Sequence, residues 1–157
     1  MNVQLAVRVL GLLVVACSND DDDGAAEEAV FPVNYADSYV EVRGCRKSGD
    51  HSLAAIRVLA EPDAAVSYLD RQTQFSPGAV ILKEEYGFGD TDCSDEIAGW
   101  TVMMKKPEAT ASLGWEWQRV STTRTVTQSN ATGCVACHTP CGGVSAETGY
   151  DYTCTDP

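Results

Sequence analysis

The feature that most constrains this chain is the pentapeptide Cys134-Val135-Ala136-Cys137-His138, near its C-terminal end. The two thiols are spaced so that both can reach the two vinyl groups of one porphyrin, and the adjacent imidazole can approach the iron from the same side. The motif therefore predicts one covalently attached haem c, with His138 as the iron ligand. A fold that carries such a group has to leave a cavity beside these residues.

The same cysteines allow two other interpretations. Cys134, Cys137, Cys141 and Cys154 could form a four-thiolate zinc site, which would make the chain a zinc-stabilised interaction domain. Alternatively, Cys134 and Cys137 could be a redox dithiol. Dithiols of that kind normally open a helix after a strand in a βαβ unit, and the sequence shows no such unit.

Residues 1–17 have the pattern of a targeting segment. Arg8 precedes an apolar run at residues 9–16 that is too short to span a bilayer but has the length of a secretory core. The run ends in Val14-Val15-Ala16-Cys17, the pattern of a lipobox in which the cysteine is lipidated. The alternative is an ordinary signal peptide cleaved near Ala16. The sequence thus predicts an exported, periplasm-facing lipoprotein, and Ser18 after the lipidated cysteine favours the outer membrane.

Residues 18–30 are acidic and lack an apolar core. Asp20–Asp23, Glu27 and Glu28 contribute half of the formal net charge of −12. Like charges repel one another, so this segment is predicted to be a flexible tether between the membrane and one domain at residues 31–157. Because the domain has no basic stripe, nucleic acid is excluded as a partner.

The chain has seven cysteines. If Cys17 is lipidated and Cys134 and Cys137 hold haem, four remain, and in an oxidising compartment they predict two disulfides with three connectivities. We favour Cys45–Cys93, which would cross-link the body of the domain, and Cys141–Cys154, which would close a short loop after the haem motif.

Hydrophobic patterns predict an α+β fold, mainly an antiparallel β-sheet with a few short helices. Strands are predicted at residues 52–60, 79–86, 99–104 and 115–126, and a short helix at residues 63–69. In the last strand, Trp115 and Trp117 should share one face and Glu116 and Gln118 the other. The chain after Gly133 is rich in Gly, Cys and Thr and is predicted to be a loop.

Several segments, in a fixed order before the late haem motif, resemble the cytochrome P460 family, which includes the cytochromes c′-β. They are Phe31-Pro32-Val33-Asn34-Tyr35, Ile56-Arg57-Val58, the stretch from Phe75 to Glu84 with its Lys83-Glu84 pair, and Gly114-Trp115-Glu116-Trp117. The resemblance implies a mainly β domain that is commonly homodimeric. It also implies a five-coordinate haem with an open site for a small molecule.

The resemblance also suggests roles for two side chains. Lys83 matches the lysine that is bonded to the porphyrin edge in the family members that oxidise hydroxylamine. Its alternatives are an ordinary strand-end lysine in an ion pair, or an uncrosslinked homologue. Arg57 matches an arginine suited to a haem propionate. Its alternative is an ion pair with Asp63 or Glu84.

The chain departs from the family pattern at two places. The carboxylate that the enzymes use for proton transfer would fall near Thr101, and a threonine cannot act as a general base at neutral pH. Asp95 and Glu96 are close in sequence but cannot be placed over the haem. The tail also differs, because the family usually has no cysteines equivalent to Cys141 and Cys154.

Three functions follow from these observations. The first is an enzyme that oxidises hydroxylamine or nitric oxide, with Lys83 as its one candidate catalytic-site residue. The second is a non-catalytic protein that captures nitric oxide or another diatomic gas. The third is an electron carrier, which needs a second strong ligand such as His51 or a methionine. A redox partner protein is expected for the first and third.

Overall fold

The computed structural model describes residues 27–49, 55–108, 112–143 and 149–154. The predicted signal peptide, the lipobox with Cys17, most of the tether and His51 lie outside these ranges. Within them, none of the helices has the length and apolar character that a membrane crossing requires.

The described residues form a six-stranded sheet in the order β1-β2-β3-β4-β5-β6, and every neighbouring pair is antiparallel. Two α-helices accompany it, so the predicted α+β fold is confirmed. The elements are, in chain order, β1 (Val40–Lys47), β2 (Ala55–Ala60), α1 (Pro62–Asp70), β3 (Val80–Tyr86), β4 (Ile97–Lys105), β5 (Trp115–Val120), β6 (Val126–Ser129) and α2 (Thr132–His138).

The structure corrects the predicted elements at three places. The predicted strand at 115–126 is a hairpin, because the Ser121 amide bonds to the Thr125 carbonyl and Arg124 takes a left-handed turn conformation. Side-chain hydroxyls in this run favour such turns. The predicted loop after Gly133 instead includes the second helix, α2, which carries the CxxCH motif. The edge strand β1 was not predicted at all.

The alternation of side chains along the strands gives the sheet two different faces. On the first face, Ile81, Met103 and Trp117 belong to a cluster that also includes residues of α1, and Cys134 packs against it. On the second face, Leu82 and Val102 belong to another cluster. A side chain's position along its strand therefore decides which cluster it joins.

Both predicted disulfides are present. Cys45–Cys93 links β1 to the loop before β4, and Cys141–Cys154 closes the segment that follows α2. The end of the predicted tether also contacts the sheet. The amide of Val30 donates to Gln118 Oε1 at 2.9 Å, and Gln118 Nε2 donates to the Glu28 carbonyl at 3.0 Å. Ordered structure therefore begins before residue 31.

Candidate haem site

The CxxCH motif is held against the first face of the sheet by the start and the end of α2. Before the helix, the Asn130 amide donates to the Trp117 carbonyl at 2.7 Å, and Asn130 Oδ1 accepts from the Trp117 amide at 3.1 Å. At its end, His138 is only 7% exposed, and its ring centre is 4.5 Å from that of Trp117. One strand residue thus anchors both ends of a helix of seven residues.

The imidazole of His138 has a defined orientation. Its Nδ1 lies 2.6 Å from the carbonyl oxygen of Tyr152. A carbonyl oxygen can only accept, so Nδ1 carries the proton and donates it, which leaves the lone pair on Nε2. Metal-binding histidines are commonly oriented by such a bond from the other ring nitrogen. His138 therefore has the tautomer of an axial ligand that binds through Nε2.

The two motif cysteines remain thiols, unlike the four cysteines in the disulfides. Cys134 is partly buried and Cys137 is exposed. Burial raises the pKa of the Cys134 thiol, and the positive charges of Arg119 and Lys83 act in the opposite direction. Two unpaired thiols at the edge of a cavity are what covalent attachment of a porphyrin requires.

A cavity of about 350 Å³ lies between α2 and the sheet. This volume is within the range of small-molecule and cofactor sites. Besides the motif residues, the side chains that matter for chemistry in its lining are Lys83, Thr101, Met103, Trp117, Arg119 and Gln128. A second hollow of about 690 Å³ shares Lys83, Cys137 and His138 with the first, and its outer wall includes Arg43, Arg46 and Lys47.

Three polar residues on neighbouring strands form one row along the cavity wall. Lys83 on β3 is the register partner of Thr101 on β4, which in turn partners Arg119 on β5. The Thr101 hydroxyl is buried and has no hydrogen-bond partner among the described residues. An unsatisfied buried hydroxyl costs about 1–3 kcal/mol, a cost that a hydrogen bond to a polar atom of a bound group would remove.

The cavity lacks an acidic group in the part of the chain that the structure describes. Its described lining contains no aspartate or glutamate. Asp95 and Glu96 lie in the loop before β4, where the Asp95 amide donates to Asp90 Oδ2 at 3.1 Å, and they line neither hollow. Thr101 thus lies in the cavity wall, and no carboxylate of the described residues lines the cavity beside it.

Arg57 does not reach the cavity, contrary to the predicted propionate contact. It is the register partner of Glu84, so both side chains lie on the second face, opposite Lys83. Arg57 Nη2 and Glu84 Oε2 are 2.6 Å apart, which is the ion pair predicted as the alternative. Among the described residues, the cations that line the two hollows beside the haem motif are instead Lys83, Arg119, Arg43, Arg46 and Lys47.

The rival interpretations of the cysteines lack a matching arrangement. Cys141 and Cys154 are joined to each other, which removes two of the four thiolates that a zinc site would need. Among the described residues, no group of three or more His, Cys, Asp and Glu side chains converges on a metal position. The CxxC pair lies in a helix after a strand, but the sheet is antiparallel and has no βαβ unit.

Residues 32–147 match the Cytochrome P460 family. The chain belongs to the cytochrome P460 family. No curated protein matches it. Membership implies haem c and iron, and this site fits them: it has two thiols, an oriented imidazole, a cavity of suitable volume and a buried hydroxyl without a partner.

Some site residues were missed in the sequence. Arg119 lies on the face of β5 that was predicted for Trp115 and Trp117, so pairing that strand with Thr101 would have placed Arg119 in the cavity wall. A methionine was expected only as a second ligand in an electron carrier, and Met103 was not singled out. The Tyr152 carbonyl leaves no sequence signal, because it is a backbone group and any residue could supply it.

Proposed function

We propose that this chain is an exported, lipid-anchored monohaem cytochrome that captures nitric oxide or a similar diatomic molecule. Cys134 and Cys137 would hold one haem c, and His138 would bind its iron through Nε2. Lipidation at Cys17 would hold the domain at the outer membrane, facing the periplasm, while the acidic segment lets it reach away from the surface. The haem iron supplies the centre that coordinates the small molecule.

The observation that carries the proposal is the unpartnered hydroxyl of Thr101 in the same cavity as the haem motif. A hydroxyl can donate one hydrogen bond without exchanging a proton at neutral pH. It can therefore stabilise a polar ligand in the cavity. Such a group suits binding, since it orients a ligand without removing protons from it.

Capture is favoured over oxidation by the charges around the cavity. Hydroxylamine has to lose protons as it is oxidised, and a general base of suitable pKa has to lie within reach of them. The described lining offers the cations Lys83 and Arg119 and no carboxylate. A cationic, base-poor site binds a neutral diatomic more readily than it drives a reaction that releases protons.

Oxidation of hydroxylamine is the second candidate, because of the position of Lys83. Its side chain lines both hollows together with Cys137 and His138, so it lies on the side of the sheet where a bond to a porphyrin edge could form. Electron transfer is the third candidate. Met103 lines the cavity and is buried, and a thioether is a strong sixth ligand for haem iron.

The deciding experiment is a spectroscopic titration of the full chain, expressed with the cytochrome c maturation machinery. We expect a five-coordinate ferrous spectrum that shifts on addition of nitric oxide, and an unlinked Lys83 in the mass of the haem peptide. Thr101→Val should weaken nitric oxide binding, and Met103→Leu should leave the coordination number unchanged. A far-red Soret band with a Lys83–haem bond would instead support the enzyme. A six-coordinate spectrum that Met103→Leu converts to five-coordinate would support the electron carrier.

A further inference from the structure

The segment at residues 149–154 lies across His138 and contacts its ring; we call it the proximal clasp. Its Tyr152 carbonyl accepts the Nδ1–H bond at 2.6 Å, and Cys154 Sγ lies 3.5 Å from the same nitrogen. The clasp is tied covalently to the chain just after the haem motif by the Cys141–Cys154 disulfide. Its position is therefore coupled to the position of the axial ligand.

Four further contacts fix the clasp to the rest of the domain. They are Arg71 Nη2 to the Gly149 carbonyl at 2.6 Å, Lys105 Nζ to Asp151 Oδ2 at 2.7 Å, Trp115 Nε1 to the Asp151 carbonyl at 3.0 Å, and the Tyr152 amide to the Gly142 carbonyl at 2.8 Å. Within the clasp, the Thr153 hydroxyl donates to the Tyr150 carbonyl at 2.6 Å. Because α1, β4 and β5 all take part, the carbonyl of Tyr152 has little freedom to move relative to the sheet.

The backbone of the clasp is held in an unfavourable conformation. Asp151, Tyr152 and Cys154 have φ values of 44°, 67° and 50°. These values lie in the left-handed region, which residues other than glycine rarely adopt. Such conformations persist only where the surroundings impose them, and they gather at functional sites.

Gly149 permits the close approach on which the clasp depends. Its φ is 75°, and a Cβ at this position would lie 2.7 Å from the Cys141 carbonyl oxygen. No side chain larger than hydrogen fits there without moving the backbone. Replacing Gly149 should therefore displace the clasp while leaving both cysteines in place.

We propose that the proximal clasp is a positioning device for His138 that sets the electron donation of the imidazole to the iron. This inference rests on the proposed haem site. A hydrogen bond from Nδ1 to a fixed carbonyl makes Nε2 a stronger donor, which favours ferric over ferrous iron. Loss of the clasp should raise the reduction potential and weaken the iron–histidine bond.

The test compares the full haem-loaded chain with Cys141→Ala/Cys154→Ala and with Gly149→Ala. The matched control is Cys45→Ala/Cys93→Ala, which removes the other disulfide, whose cysteines line neither hollow. Loss of a hydrogen-bond partner of a metal ligand typically changes the metal affinity or the activity of the site tenfold or more. We therefore expect the equilibrium constant between ferrous and ferric iron to change about tenfold in both clasp variants. This change raises the reduction potential by about 59 mV for one electron. The potential of the control should change little.

Two further readouts distinguish positioning from simple stabilisation. The ferrous iron–histidine stretching band in resonance Raman spectra should move to lower frequency in the clasp variants and stay in place in the control. In a haem-free chain carrying Cys134→Ala/Cys137→Ala, nitrogen NMR should show His138 protonated on Nδ1. Adding Gly149→Ala to that chain should move the proton towards Nε2.

Equal potentials and equal stretching frequencies in the parent and both clasp variants would overturn the inference and leave the proposed function intact. An Nδ1-protonated His138 that Gly149→Ala does not change would also overturn it. A parent chain that takes up no haem would refute the proposed function, and the inference would fall with it.

Discussion

Replacing Glu84 with leucine removes the acceptor at the centre of a buried polar network on the second face of the sheet. Glu84 is 1% exposed. Its carboxylate accepts hydrogen bonds from the Tyr35 hydroxyl at 2.7 Å, the Tyr86 hydroxyl at 2.8 Å and Arg57 Nε at 2.7 Å. Leucine keeps much of the volume but leaves two hydroxyls and a guanidinium without their acceptor.

The size of the loss follows from how well water can reach the remaining groups. Removing one partner of a buried ion pair costs about 3–5 kcal/mol, because the other charge is left uncompensated. The Arg57 side chain is 35% exposed, so water can solvate it again, and the cost should lie at the lower end, about 3 kcal/mol. For a domain of this size, that corresponds to a fall in Tm of about 10 °C.

Urea denaturation of the haem-loaded chain, followed by circular dichroism, measures this loss. The matched control is Glu116→Gln, which breaks the pair between Lys106 Nζ and Glu116 Oε2, whose side chains are 36% and 18% exposed. An ion pair of that exposure contributes less than about 1 kcal/mol. If Glu84→Leu were no more destabilising than Glu116→Gln, the buried network would not stabilise the fold as argued. The visible spectrum should stay unchanged in both variants, since Glu84 faces away from the cavity.

Three other outcomes are expected. Burial, with the hydrogen bond to Glu84, raises the pKa of Tyr35 from 10.0 to about 12. The folded state therefore holds this proton more tightly, and its contribution to stability is complete below pH 10 and lost as the pH rises towards 12. Tyr35→Phe should flatten that part of the stability profile, and parallel profiles for both chains would contradict the shift. Removing the Cys45–Cys93 bridge, which spans 48 residues, should cost about 4 kcal/mol of unfolding free energy in the chain-entropy treatment. A loss under about 1 kcal/mol in urea titrations would show that the disulfide does not limit the unfolded chain. Thr101→Val should stabilise the haem-free chain by about 1 kcal/mol, since it removes an unsatisfied hydroxyl, while nitric oxide binds several-fold more weakly to the haem-loaded form. If the stability of the haem-free chain and the affinity for nitric oxide both rose, or both fell, the role given to that hydroxyl would be refuted.

The sequence was sufficient for β2, β3 and β4, because apolar runs with β-branched residues mark these strands directly. It was not sufficient for β1, whose residues are mostly exposed at the sheet edge and whose apolar alternation ends after Val42. The helix α2 was also missed. A helix of seven residues is held by tertiary contacts rather than by its own propensity, and here the contacts are with Trp117.

The residues of the candidate site also fall into two groups, those that the sequence could predict and those that it could not. Cys134, Cys137 and His138 could be predicted as a haem site because covalent haem attachment needs adjacent residues, so its signal is local. Arg57 was misplaced because the face of a strand residue depends on register, and only its pairing with Glu84 fixes that register. The clasp could not be predicted, since it acts through the backbone carbonyl of Tyr152.

The most direct test of the central claim is the mass of the full chain after expression with the maturation machinery, together with a proteolytic map of the haem. We expect one haem per chain, attached to the peptide that contains Cys134 and Cys137, and none in the Cys134→Ala/Cys137→Ala variant. A chain that matures without added mass, or one that carries haem equally well without these two thiols, would contradict the claim.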